Sequence, residues 1–230
     1  MWWLLLLINI GLYVQAEKVI KLNTTNNIII RGEINEKTSS DFIYKLNLQE
    51  KKTNILVYLN TQGGSVFDGL KIADEIIKYN ISCIAENAYS MGFYIFQNCK
   101  NRYIMSSSKL MQHQMSLGIF NEREKIRNYM ELIDSVEHEM TKIQVNRLNI
   151  STEKFLNNID NEWWTYGSNI ILNNCADEMV HIECSKTLTK QTENVEKGGY
   201  KYIYSKCPIV SNYIKKEKLK NNDENMFYFI

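Results

Sequence analysis

The chain has 230 residues, 44% of them apolar, and a net charge of +1 from 27 basic and 26 acidic side chains. That length and apolar share suit one globular domain with an appendage. The near-neutral balance gives no electrostatic footing for nucleic acid or an anionic membrane surface.

Residues 1–16 are almost wholly apolar, and the first charges are Glu17 and Lys18. A bilayer-spanning helix needs about 20 apolar residues, so the run is short for an anchor. It has the length of a signal-peptide apolar region, and Val14-Gln15-Ala16 sits at cleavage-site spacing. No Lys or Arg precedes it and Asn9 interrupts it. A cleaved signal, with export to a secretory or organellar compartment, is the first expectation. A retained anchor, a buried first strand and a cytoplasmic chain are the alternatives.

From Lys18 the pattern alternates between strands and helices. Val19–Leu22 and Ile28–Ile30 read as short strands, and residues 36–48 as an amphipathic helix. Asn54–Asn60 is a continuous apolar run, as in a parallel strand buried on both faces. Gln62-Gly63-Gly64 then turns into a helix over 66–79. A second buried strand, 82–86, leads through Asn87-Ala88-Tyr89-Ser90-Met91-Gly92 into another helix. Arg102–Met105 and Lys109–Gln112 are two short strand candidates. Ile126, Met130, Ile133, Val136, Met140 and Ile143 mark one long amphipathic helix over 122–148. Trp163–Val180 reads as helix then strand. The repetition predicts an α/β fold with a largely parallel sheet. Residues 184–230 are polar and charged, and are expected to form a loosely ordered or partner-dependent extension.

Cys83, Cys99, Cys175, Cys184 and Cys207 show no Cys-x-x-Cys spacing, which argues against zinc. If the chain is exported, one or two disulfides are expected, with an odd thiol left over. Cys184 with Cys207 would then staple the tail. Asn23-Thr24-Thr25, Asn80-Ile81-Ser82 and Asn149-Ile150-Ser151 fit the glycosylation pattern, but an Asn-rich chain generates such matches by chance.

Two strand–turn–helix junctions carry candidate chemistry. At Gly63-Gly64 the backbone can approach a ligand, and the following helix N-terminus favours developing negative charge. At Ser90 the hydroxyl sits where nucleophile elbows place it, although an N-cap serine looks the same. Of the three histidines, His113 follows a strand close to the serine turn and is the natural base. A structural histidine would look the same. His138 reads as a surface residue and His181 as structural.

The segment order over Val19–Val180 resembles the Clp protease proteolytic subunit. The family's S-P-G-G-x-x-x-x-G is matched by Thr61-Gln62-Gly63-Gly64-Ser65-Val66-Phe67-Asp68-Gly69, and its A-S-M-G by Tyr89-Ser90-Met91-Gly92. Its S-R-I-M-I-H-Q-P is matched by Ser108-Lys109-Leu110-Met111-Gln112-His113-Gln114-Met115. The resemblance implies a Clp/crotonase-like spiral of β-α units with a long handle helix. With the apolar N-terminal run and the polar tail, the chain divides into an expected signal or anchor (1–16), a serine peptidase domain (17–183) and a polar extension (184–230). The resemblance implies Ser90 as nucleophile, His113 as general base, and the N–H groups of Gly64 and Met91 as oxyanion hole. The family's acid aligns with Glu162; a small gap brings Asp160 there instead. No cofactor and no metal are implied. Expected partners are peptide or unfolded-protein substrates, sister subunits in a homo-oligomeric ring, and by family an AAA+ unfoldase. The export signal and the near absence of the family's axial-loop segment speak against that last partner.

Three rival readings stand beside a serine endopeptidase. They are a catalytically inactive ring subunit, a crotonase-type acyl-CoA enzyme, and a membrane-associated or signal-peptide-peptidase-like protease using a Ser–Lys dyad with Lys109.

Overall fold

A computed structural model describes residues 18–219; the apolar N-terminal segment and residues 220–230 lie outside the described residues. The chain opens with β1 (Val19–Leu22) and β2 (Asn27–Ile34), followed by helix α1 (Glu36–Asn47). Asn35 caps α1, its side chain accepting the Thr38 N–H. Three strand–helix steps follow: β3 (Leu56–Gly64) and α2 (Val66–Lys78), β4 (Ser82–Tyr89) and α3 (Met91–Gln97), then β5 (Arg102–Gln112) and the long α4 (Arg123–Leu148). Helix α5 (Thr152–Ile159), strand β6 (Trp163–Tyr166), helix α6 (Ser168–Leu172), and strands β7 (Glu178–Met179) and β8 (His181–Cys184) complete this part.

The main sheet runs in the order β2-β3-β4-β5-β6, with β7 also paired to β5. Strands β2 to β5 are mutually parallel, and β6 is antiparallel to β5. Both faces of β3 and β4 are covered, which is why their sequences read as unbroken apolar runs. Val57, Leu59, Cys83 and Ala85 join Phe42, Ile72, Ile76 and Phe96 in the larger core. Tyr58 and Ile84 face the other way, onto Ile20, Leu22, Val180 and Leu188. The expected α/β architecture and the buried parallel strands are observed.

Three expectations need correction. Residues 102–112 form one strand rather than two. The apparent break is a bulge: Ala85 pairs with Ile104, and Asn87 with Lys109. Ser108 fills it, donating its hydroxyl to the Ala85 carbonyl and accepting the Met105 N–H. Residues 163–180 run strand, helix, strand, because Trp163 is anchored by ring contacts with Phe93 and Phe155 beside β5. The tail is ordered over its described part. Helix α7 (Lys186–Lys190) leads into an antiparallel meander of β9 (Thr192–Lys197), β10 (Tyr200–Ser205) and β11 (Tyr213–Lys218). Tyr200, Tyr202 and Tyr204 alternate along β10, the latter two packing on Tyr213, and Lys216 covers the rings of Tyr200 and Tyr202. A disulfide between Cys184 and Cys207 ties this unit to β8.

Candidate active site

Both strand–turn–helix junctions meet at the same end of the sheet. Polar side chains brace the strands there. Tyr58 Oη and Asn60 Nδ2 donate to Glu86 Oε2 at 3.0 and 2.8 Å, Asn87 Nδ2 donates to Asn60 Oδ1, and Tyr89 Oη donates to Asn87 Oδ1. Burial and the neighbouring Glu86 push the Tyr58 phenol well above its ordinary pKa, so it stays a neutral donor.

Gly63 (φ +91°) and Gly64 (φ +143°) lie in backbone regions that favour glycine. A Cβ on Gly63 would meet Ser90 Cβ and the Tyr89 carbonyl at 2.7 Å; one on Gly64 would collide with the Ile34 carbonyl. The paired glycines therefore let the end of β3 lie directly against the serine turn.

Ser90 adopts φ +53° and ψ −118°, a conformation held only when the surroundings enforce it. Its own N–H is tied to the Met111 carbonyl at 2.8 Å, which pins the turn to β5. Although Ser90 stands at the N-cap of α3, its hydroxyl makes no capping bond. Oγ instead lies 2.8 Å from Nε2 of His113. The next residue, Met91, begins α3, and its N–H belongs to the first turn, which has no intrahelical acceptor.

Ser90, Met91, Gly64 and His113 line a pocket of about 270 Å³ whose walls include Met115, Met140 and Phe155. Of the residues expected in the site, the structure brings these four together. Among the described residues, no carboxylate is hydrogen-bonded to His113. Glu162 has a left-handed backbone (φ +63°), and its Oε2 accepts the Trp164 indole N–H at 3.0 Å. Asp160 Oδ1 accepts from Gln114 Nε2 at 3.1 Å. His138 is exposed on α4, and His181 opens β8. Among the described residues, no group of three or more His, Cys, Asp or Glu is placed to hold a metal ion.

Two pocket residues had no signal in the sequence: Gln112 and Gln144, which join through their side-chain amides across β5 and α4. They are 32 positions apart, and no spacing rule links carboxamides at that distance.

The family model for Clp proteases matches residues 14–181. The chain belongs to the Clp protease family. Among relatives of this Clp protease chain, the "ATP-dependent Clp protease proteolytic subunit 2" of Tropheryma whipplei (strain Twist) is 26% identical over 146 residues, 60% of this chain and 81% of that protein. The "ATP-dependent Clp protease proteolytic subunit 3" of Streptomyces coelicolor is 29% identical over 124 residues, 52% of this chain and 57% of that one. Subunit 1 of Streptomyces avermitilis is 27% identical over the same shares. The chain thus spans little more than half the length of the two Streptomyces relatives. The Clp protease family is one of peptidases, and its matched region holds both junctions, Ser90 and His113.

Proposed function

We propose that this Clp protease chain is a serine endopeptidase in which Ser90 attacks and His113 serves as general base. The observation that carries the reading is the 2.8 Å approach of Ser90 Oγ to His113 Nε2, across 23 residues of sequence, at the wall of a pocket. Imidazole at that distance takes the hydroxyl proton as Oγ bonds to the peptide carbonyl carbon. The proton then passes to the leaving amine, and water repeats the sequence on the acyl-enzyme. The N–H groups of Gly64 and Met91 are the assigned oxyanion donors, each on the order of 3 kcal/mol in transition-state stabilisation.

The pocket walls are mainly apolar, with Val66, Met91, Met115, Met140, Phe155 and Ile159. Substrates with a large apolar residue before the cut bond fit this lining. The family also supports a homo-oligomeric ring, with an ATP-driven unfoldase as a further partner; native mass spectrometry of the purified chain tests the ring. Disulfide pairs at Cys83–Cys99 and Cys184–Cys207 support residence in an oxidising compartment. Cell fractionation with a thiol-alkylation assay tests that assignment.

A second reading, a catalytically inactive ring subunit, draws on one observation: neither Glu162 nor Asp160 is hydrogen-bonded to His113. A fluorophosphonate probe separates the two. Labelling of the native chain that disappears in both Ser90→Ala and His113→Ala supports the peptidase. A folded native chain that takes no label supports the inactive subunit.

A further inference from the structure

Two buried carboxamides connect the long helix α4 to the histidine. Gln112 ends β5 immediately before His113 and is 5% exposed; Gln144, on α4, is 3% exposed. Gln112 Nε2 donates to Gln144 Oε1 at 2.5 Å, and Gln144 Nε2 donates to the Met140 carbonyl at 3.1 Å. Gln112 Oε1 in turn accepts the backbone N–H of His113 at 3.2 Å. The direction of the chain is fixed at both ends. An N–H only donates and a carbonyl only accepts, so neither amide can flip without breaking two bonds.

Two apolar side chains would fill this space with no such demand, and buried amides are costly unless paired. What the amides add is direction, since they tie the backbone at His113 to a fixed point on α4. They do so in a site where, among the described residues, no carboxylate is hydrogen-bonded to the imidazole to orient it.

We propose that Gln112 and Gln144 are positioning residues, holding His113 so that Nε2 faces Ser90 Oγ. The proposal rests on the Ser90–His113 reading above. For Nε2 to accept the serine proton, the ring proton must sit on Nδ1. A loosened backbone lets the ring turn, and the Nδ1–H tautomer loses its advantage.

The test uses the full chain as native protein, Gln112→Met, Gln144→Met and the double variant. Both glutamines line the pocket, so the reactivity probe is diisopropyl fluorophosphate, whose small substituents make little use of it. Each Met variant is expected to label about tenfold more slowly than native, and the double variant no slower than either single. Nitrogen-15 spectra of the histidine rings supply a readout that a purely structural role would not move. Neutral His113 is expected as Nδ1–H in the native chain, shifting toward Nε2–H in both single Met variants. Unchanged ring spectra in both overturn the proposal, even if labelling slows, because the pair would then act only as pocket wall. If the native chain takes no label, the peptidase reading falls, and the spectra alone decide the positioning role. Should Gln144→Met fail to fold, Gln112→Met leaves α4 untouched and carries the same comparison.

Discussion

Ser90 keeps a backbone conformation that a non-glycine residue adopts only under constraint, and Gly63 is part of that constraint. A methyl group on Gly63 must push against Ser90 Cβ and the Tyr89 carbonyl, neither of which has room to move freely. Gly63→Ala is therefore expected to cost about 1–3 kcal/mol in stability, read from the urea midpoint. It should also slow fluorophosphonate labelling far more than that loss of folded protein explains. For the acids, the geometry predicts a small effect. Glu162→Gln and Asp160→Asn should each change kcat/KM on a peptide substrate by less than about tenfold, against the ~10⁴-fold loss when a bonded triad aspartate is replaced. A loss on that larger scale for either variant would identify it as the orienting acid. The meeting of Ser90 with His113 was legible in the sequence because each sits in a stretch that resembles a family motif. The acid was not. Glu162 aligns by spacing, but a left-handed turn and the Trp164 indole decide where its carboxylate goes, and neither has a spacing signature.

At the scale of elements, a charge cluster around the buried Arg102 ties β5 and α4 to the loop before β7. Arg102, at the start of β5, has a side chain only 2% exposed. Its Nε and NH2 groups donate to Asp177 Oδ1, its backbone N–H donates to Oδ2, and NH1 donates to the Asn174 carbonyl. Arg147, from the last turn of α4, donates to Asp177 Oδ2 at 3.0 Å. Burial alone pushes the Asp177 carboxyl up, but the hydrogen bonds and charge of Arg102, joined by Arg147, hold it below the ordinary carboxylate range. A carboxyl held low in the folded state stabilises the fold above its unfolded pKa of about 4, and that stability fades as pH falls through the folded value. Melting temperature is thus expected to drop below about pH 4, with a shallower acid limb in Asp177→Ala. That variant also removes the charged partner of the buried Arg102 and leaves it the Gln97 and Asn174 oxygens, a loss of about 1–3 kcal/mol at pH 7 in urea unfolding. Elements with a strong period, such as α1, α2, α4 and the buried strands β3 and β4, were readable from sequence. Strand β5 was not read whole, because three consecutive serines resemble a turn, and the bulge shows only in Ser108's bonds to Ala85 on β4 and to Met105 within β5.

Across the whole molecule, the boundary near residue 184 separates two ways of holding a chain together. The body buries apolar strands and helices in a shared core. The tail buries few apolar side chains, and stands on tyrosine and lysine contacts, Leu188, and the bond from Cys184 to Cys207. Its composition reads as solvated because none of these supports appears as hydrophobic periodicity. Closing a loop with a sequence separation of 23 contributes about 3 kcal/mol in the chain-entropy account. Cys184→Ser with Cys207→Ser is expected to raise amide hydrogen exchange in β9 to β11 while β3 and β4 keep their protection. Equal loss of protection in both would show that tail and body unfold as one. Cys175 should stay unalkylated in the folded chain, since burial pushes its thiol up to about 12.

The same covalent loop also governs how the protein would come apart under digestion. A single cut by an added protease anywhere from residue 185 to residue 206 falls inside the bridged segment. The nicked protein would run at full mass on a denaturing gel, and the two fragments would separate only once a reducing agent is present.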